Sequence, residues 1–439
     1  MGILTRKQME HSRNKALLNY LDIYDTVEKS TLKHIEQFGL PFENESGSTV
    51  KENRVRQLKE NGAFFRNNDK SILNRNRISS ACEACQTGTG SYTSFVSLKC
   101  HRDCYFCFNK NQDNYHFYLQ HTKNVNGELE SILNQGTKLT HLALTGGEPL
   151  LHAEEAISFF ELANRRAPGV HTRLYTAGDL LTEEILQRLK DAGLNEIRFS
   201  IKMEDQHSKQ KHILRQIGLA KKYIPDVLVE MPVIPGTGEA MKELLCDLEE
   251  LGIFGINLLE FCFPLENPKP FKDRGFSLKN PPYEVYYNFW YAGGLAVAES
   301  EALCHELVQF AIEQDFEMGV HYCSLENKFT GQIYQQNHDQ TLDATYTFSQ
   351  HDYYFKTAKV FGKDKRSVRK TLEKRNMPFI DNTEYDFLQF SVEAIPLLRH
   401  KDIDVIISSN VIETARYERS IKEVNLELAD VKEFELARI

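Results

Sequence analysis

The stretch Ser97–Asn111, SLKCHRDCYFCFNKN, decides how the rest of this 439-residue chain is read. It sets Cys100, Cys104 and Cys107 in the spacing Cys-x3-Cys-x2-Cys, directly after an apolar run, YTSFVSL (92–98), that has the composition of a β-strand. Thiolates are soft ligands suited to iron–sulfur clusters, and spacings this short let one loop reach three corners of a cube. A structural zinc site would need a fourth ligand, and His101 lies too near in sequence to supply it comfortably. On spacing alone, a zinc site and unrelated thiols both stay open beside the cluster.

Outward from this loop, short apolar runs alternate with amphipathic stretches. The runs are THLALT, HTRLYT, EIRFSI, DVLVEMPVI, GINLLEF and MGVHYC. Between them lie helical patterns such as EEAISFFELANRR, TEEILQRLKDAG and GEAMKELLCDLEELG, with Gly193 and Gly252 placed to close helices. Strand–helix alternation predicts parallel βα units, hence an α/β protein built on a partial (βα)6 TIM-like barrel, with its site at the C-terminal ends of the strands.

The expected divisions are a helical N-terminal extension over 1–80, the partial barrel over 81–335 and a small α+β C-terminal domain over 336–439. In the extension, Leu17, Leu18, Leu21, Tyr24, Val27 and Leu32 recur at roughly helical spacing, the pattern of a packing helix. The stretch NPPYEVYYNFWYAGG (280–294) is an aromatic interruption that reads as core or as the wall of a pocket.

Charge and composition limit the classes of function. Hydrophobic content of 41% and charged content of 26% are those of an ordinary globular protein, and a net charge of −9 argues against nonspecific nucleic-acid binding. No apolar run is long enough to cross a membrane, and the opening MGILTRKQME is too polar for a secretory signal. Gly2 invites a myristoylation reading that Arg6 spoils. The expectation is a cytoplasmic protein. Nine cysteines, five of them between residues 82 and 107, then read as metal ligands before disulfides.

The cysteine loop resembles the CxxxCxΦC signature of the radical S-adenosylmethionine (SAM) superfamily, with Phe106 at the aromatic position. THLALTGGEPLL (140–151) is similar to that superfamily's GGE motif. There Gly146 and Gly147 let backbone approach a ligand closely, and Glu148 offers a carboxylate to the ammonium of SAM. The resemblance implies a [4Fe–4S] cluster on the three cysteines with one iron left open for SAM. It further implies electron entry from a flavodoxin- or ferredoxin-type reductant, and cleavage of SAM to methionine and a 5′-deoxyadenosyl radical that abstracts hydrogen from a substrate. Weaker echoes stand at later strand ends: Tyr175, Thr176 and Gly178; Ser200 and Lys202; Glu230 and the Pro235–Gly236 turn. These are candidates for contact with SAM or for barrel packing.

From about Cys82 onward the chain resembles one branch of that superfamily, described as related to pyruvate formate-lyase activating enzyme. The resemblance is carried by a CEAC pair before the loop, NLLEF with RGFSLK, VHYCSLENKF and VIETARYERS. That pattern gives a possible joint role to Cys82, Cys85 and Cys323, either as an auxiliary iron–sulfur cluster or as a zinc site completed by a neighbour such as His321. Ordinary reduced thiols are the alternative, and Cys246, Cys262 and Cys304 receive no role. A peptide or protein is the favoured substrate class. A glycyl-radical-enzyme activase, a small molecule or RNA base as substrate, and a non-redox zinc-binding scaffold are the other readings.

Overall fold

The computed structural model describes residues 4–44, 48–283, 285, 293–415 and 418–439. The main sheet starts with a hairpin, β1 (Phe64–Arg66) and β2 (Ser71–Leu73), whose turn puts Asn67, Asn68 and Asp69 at positive φ, a conformation Asn and Asp tolerate better than most residues. Six parallel strands follow: β3 (Ser91–Phe95), β4 (His141–Thr145), β5 (His171–Thr176), β6 (Glu196–Phe199), β7 (Asp226–Val233) and β8 (Gly255–Glu260). A short antiparallel ribbon, β9 (Cys262–Phe263) with β10 (Leu295–Ala296), precedes a seventh parallel strand, β11 (Gly319–Cys323). The sheet order is β1-β2-β11-β8-β7-β6-β5-β4-β3. Each of the two edge strands has a single neighbour, so the barrel is partial.

Parallel neighbours need long crossovers, and here these are helices laid on one face of the sheet. Local chemistry starts and stops them. The Thr182 side chain accepts from the Ile185 N–H at 3.1 Å to open helix Glu183–Asp191, and Gly252 closes helix Gly238–Leu251 at φ 61°. The core lies between this helical layer and the sheet. Phe159, Phe160, Leu189, Ile217 and Leu248 pack with Leu144, Leu174, Phe199, Val229 and Leu258, all essentially buried. Each such side chain contributes about 1.5–3 kcal/mol on burial.

Because side chains alternate along a strand, the residues between these apolar ones face the other way, into the lumen. There the sequence places charge and amide groups: Arg198 on β6, Glu230 on β7, Asn257 on β8 and His321 on β11, joined by hydrogen bonds.

A second unit is an antiparallel sheet of order β14-β15-β13-β16-β17, with β12 on β13. Its strands are β12 (Thr347–Phe348), β13 (Phe355–Phe361), β14 (Phe379–Asn382), β15 (Phe387–Phe390), β16 (Ile406–Ala415) and β17 (Glu418–Leu428). Helix Lys15–Glu36 belongs to it, burying Leu17, Leu21 and Tyr24 and packing Tyr20 against Phe361, ring centroids 5.3 Å apart and planes tilted by 46°. Val27, expected on the same apolar face, is exposed.

Compactness divides the chain differently from the expectation drawn from sequence. One unit takes in residues 42–280 and 293–328, and the other chiefly 4–41 and 329–439. The N-terminal 80 residues are thus not one helical extension. Residues 15–36 find their apolar partner in the second sheet. The β1–β2 hairpin instead covers the edge that β11 would otherwise leave open, with Ile72 and Leu73 buried. Most of the aromatic stretch 280–294 lies outside the described residues.

Candidate active site

The cysteine loop leaves the C-terminal end of β3 and opens on a cavity of about 540 Å³. Cys100, Cys104 and Cys107 all line it, Cys100 exposed and the other two half-buried. Next to β3, the chain leaving β4 makes its turn with Gly146 at φ 116° and Gly147 pressed on the cysteine loop. A Cβ on Gly147 would stand 1.9 Å from the Lys99 carbonyl oxygen, so only glycine fits. The Gly147 and Glu148 N–H groups donate to the Ser97 and Lys99 carbonyls at 3.1 and 2.8 Å, and the Asn109 amide donates to the Gly146 carbonyl. The two motifs therefore form one packed body.

Glu148 is 1% exposed. Burial pushes its carboxyl up from the usual range, and three donors work against that: the Ala177 N–H at 2.7 Å, the Thr176 hydroxyl at 2.8 Å and the Leu150 N–H at 3.1 Å. Thr176 thus spends its hydroxyl on Glu148. Ser200, Lys202, Glu230, Tyr175 and Phe106 line the same cavity, whereas Gly178 and the Pro235–Gly236 turn are not among its lining residues. Glu230 is bound to Arg198 and to the Asn257 amide at 2.7 Å, which hold it ionised against strong burial.

The cavity's donor set suits an iron–sulfur cluster: three thiols on one short loop and a carboxylate across from them. Cys262 also reaches the cavity but is packed with Ala296 and Leu325, and burial pushes its thiol up to about 12. Among the described residues, no three His, Cys, Asp or Glu side chains already stand as a metal-ligand group. Burial raises Cys100 and Cys107, and backbone N–H groups of Arg102 and Asn109 oppose it.

Below the cavity floor lie Cys82 and Cys85, on helix Ser80–Cys85, and Cys323, at the end of β11. Cys82 Sγ accepts from Arg198 Nη2 at 3.2 Å and from the Asn257 amide at 3.3 Å; Cys323 Sγ accepts from the Asn327 amide at 3.2 Å. Burial pushes the Cys323 thiol up to about 12, and Cys85 and Cys82 are close enough to add to the rise. Cys85 is reached by solvent from one side yet crowded by protein, and its thiol is raised as well. His321 does not complete this group: its two ring nitrogens are taken by Ser71 Oγ at 2.7 Å and Asn257 Oδ1 at 2.9 Å.

Sequence reasoning missed Arg198, which touches Cys82, Glu196, Glu230 and Ser79 at once. A charged residue inside an otherwise buried strand was the signal. It also missed Asn109, whose role depends on a turn that no local pattern announces.

Residues 95–248 match the family model of the Radical SAM superfamily. A protein of Methanocaldococcus jannaschii, named provisionally as a glycyl-radical enzyme activating enzyme, is 28% identical over 213 residues, covering 46% of this chain and 55% of the relative. The chain thus spans about half the length of that relative. A Methanococcus maripaludis protein, named provisionally as GTP 3′,8-cyclase, is 27% identical over 113 residues, 25% of this chain and 36% of its own. A solved structure of Streptococcus suis SuiB bound to precursor peptide SuiA is 12% identical, with 74% of this chain and 67% of that chain covered at a TM-score of 0.40, a loose likeness. No helix among the described residues is long and apolar enough to cross a membrane. Residues 95–248, which include strands β4 to β7 and the cysteine loop, thus form a Radical SAM superfamily domain, and the chain around it is similar to a relative named for activating glycyl-radical enzymes.

Proposed function

We propose that this chain is a radical SAM enzyme acting on a peptide or protein segment. Cys100, Cys104 and Cys107 would hold a [4Fe–4S] cluster, and Glu148 would receive the SAM ammonium. When bound, cluster and SAM supply a 5′-deoxyadenosyl radical that takes hydrogen from the substrate. The chain's own residues orient and enclose. Thr176 and the Ala177 N–H hold Glu148 in place, while the pair Arg198–Glu230 keeps the floor charged but balanced. Phe106, edge-on to Phe261 at 5.7 Å, contributes an apolar wall that keeps water from a reactive centre. The observation that carries the reading is the junction of the cysteine loop with Gly147 and Glu148 on one cavity.

The protein substrate is supported by the relative named for activating glycyl-radical enzymes. The relative named as a cyclase of GTP favours a small-molecule substrate as second reading, over a quarter of the chain. We further assign Cys82, Cys85 and Cys323 to a second metal, an auxiliary iron–sulfur cluster or zinc. All nine cysteines are free thiols, which suits a reducing, cytoplasmic setting and a flavodoxin- or ferredoxin-type electron donor.

The experiment is anaerobic. The protein is reconstituted, reduced and given SAM with candidate peptides, and 5′-deoxyadenosine is quantified beside Cys104→Ala. Deoxyadenosine from wild type alone is the expected result. A colourless protein that takes up zinc and no iron would overturn the reading in favour of a non-redox scaffold.

A further inference from the structure

The loop between Cys100 and Cys104 carries His101, Arg102 and Asp103. Asp103 points to solvent, but its two neighbours are tied down. Arg102 has a side chain only 5% exposed. Its Nε and Nη2 bind both oxygens of Asp179 at 2.8 and 2.7 Å, and its Nη1 binds Asp205. His101 Nε2 meets the same Asp179 carboxylate at 2.7 Å. Asp179 follows the positive-φ Gly178 just beyond β5, and Asp205 follows β6, so the clamp reaches from β3 across two further strand ends. The Arg102 backbone N–H donates to Cys100 Sγ at 3.3 Å.

We propose that Arg102, gripped by Asp179 and Asp205, is a positioning residue that presets the cysteine loop before any metal arrives. A bidentate guanidinium–carboxylate pair fixes distance and plane together, which a single hydrogen bond does not. With Cys100 and Cys104 on either side of the gripped residue, their backbone is held from its midpoint. Asn109 does the same for the far end of the loop through Gly146. The inference rests on the loop being the metal site, but the clamp itself is a property of the metal-free chain.

The test is hydrogen exchange of the amides in 97–108 in metal-free, anaerobic protein. The variants are Asp179→Asn, Arg102→Lys and the exposed-pair control Arg188→Gln. A released loop opens locally, so exchange in Asp179→Asn should be about tenfold faster or more, with the helical layer unchanged. Arg102→Lys keeps the charge but loses the fork, so it should fall between wild type and Asp179→Asn. Iron uptake on reconstitution should slow in the same order. Unchanged loop exchange in folded Asp179→Asn and Arg102→Lys would overturn the clamp. Protected amides in a wild type that never takes up iron would leave the clamp standing and sink the enzymatic reading.

Discussion

The Thr176 hydroxyl donates to Glu148 Oε1 at 2.8 Å, from β5 to the turn that follows its neighbour β4. This bond ties to β5 the carboxylate proposed to receive the SAM ammonium, so that role can be probed without touching the carboxylate. Thr176→Val should weaken SAM binding to the reconstituted protein by about tenfold, the worth of one charge-assisted hydrogen bond. Thr176→Ser should bind as wild type. Equilibrium titration of SAM reads both, and equal affinity in Thr176→Val would detach Glu148 from the role given to it.

Gly147 touches the Lys99 carbonyl where a methyl group would stand. Gly147→Ala must push the cysteine loop away from the β4 turn, at about 2 kcal/mol or more of stability. Chemical denaturation of the metal-free protein measures it. A loss below half a kcal/mol would show that the two motifs are not packed as described.

The lumenal thiols make a separable prediction about metal. The double variant Cys82→Ala/Cys85→Ala should keep the iron bound by the cysteine loop and lose whatever further iron or zinc the wild type carries. Elemental analysis after reconstitution decides the matter, and identical metal content in the two proteins sinks the second site.

Acid should loosen the second unit through Glu423. Its carboxyl is pushed up by burial but carried below the usual value by Lys359, with Tyr20 and Tyr24 also donating to it. A lowered folded value means stability that is fully present above the unfolded pKa of about 4.3 and lost as pH falls through the folded one. Glu423→Gln should therefore flatten the stability profile on the acid side. At neutral pH it should cost about 3 kcal/mol, since Lys359 is left buried without its counter-charge. Thermal unfolding of the two proteins between neutral pH and pH 3 is the measurement; parallel profiles would remove Glu423 as the acid-sensitive group.

What the sequence made legible was whatever lies close along the chain. The cysteine spacing, the GGE turn and the βα alternation each occupy a short window, and the structure assembles them on one cavity. Partnerships across long separations were out of reach. Nothing in residues 15–36 says that their apolar stripe meets a sheet beginning at Thr347, and nothing near Cys82 announces Arg198 or Asn257. The β1–β2 hairpin was the exception that could have been found. FFRNNDKSIL has aromatic and branched residues flanking an Asn-Asn-Asp turn, a hairpin pattern passed over because its surroundings are helical. His321 misled for a different reason: a histidine beside a cysteine reads as a ligand until its hydrogen-bond partners are known.

The antiparallel pairing of β2 with β11 has a bearing on how the protein is made. A ribosome delivers the hairpin long before the strand it must join, and every parallel strand from Ser91 to Glu260 is synthesised in between. Cys82 and Cys323 can meet only once that last strand has emerged and docked. Any metal held jointly by these lumenal thiols would therefore have to be loaded late in the birth of the molecule, whereas the cysteine loop and its glycine partner are complete after barely a third of the chain has been translated.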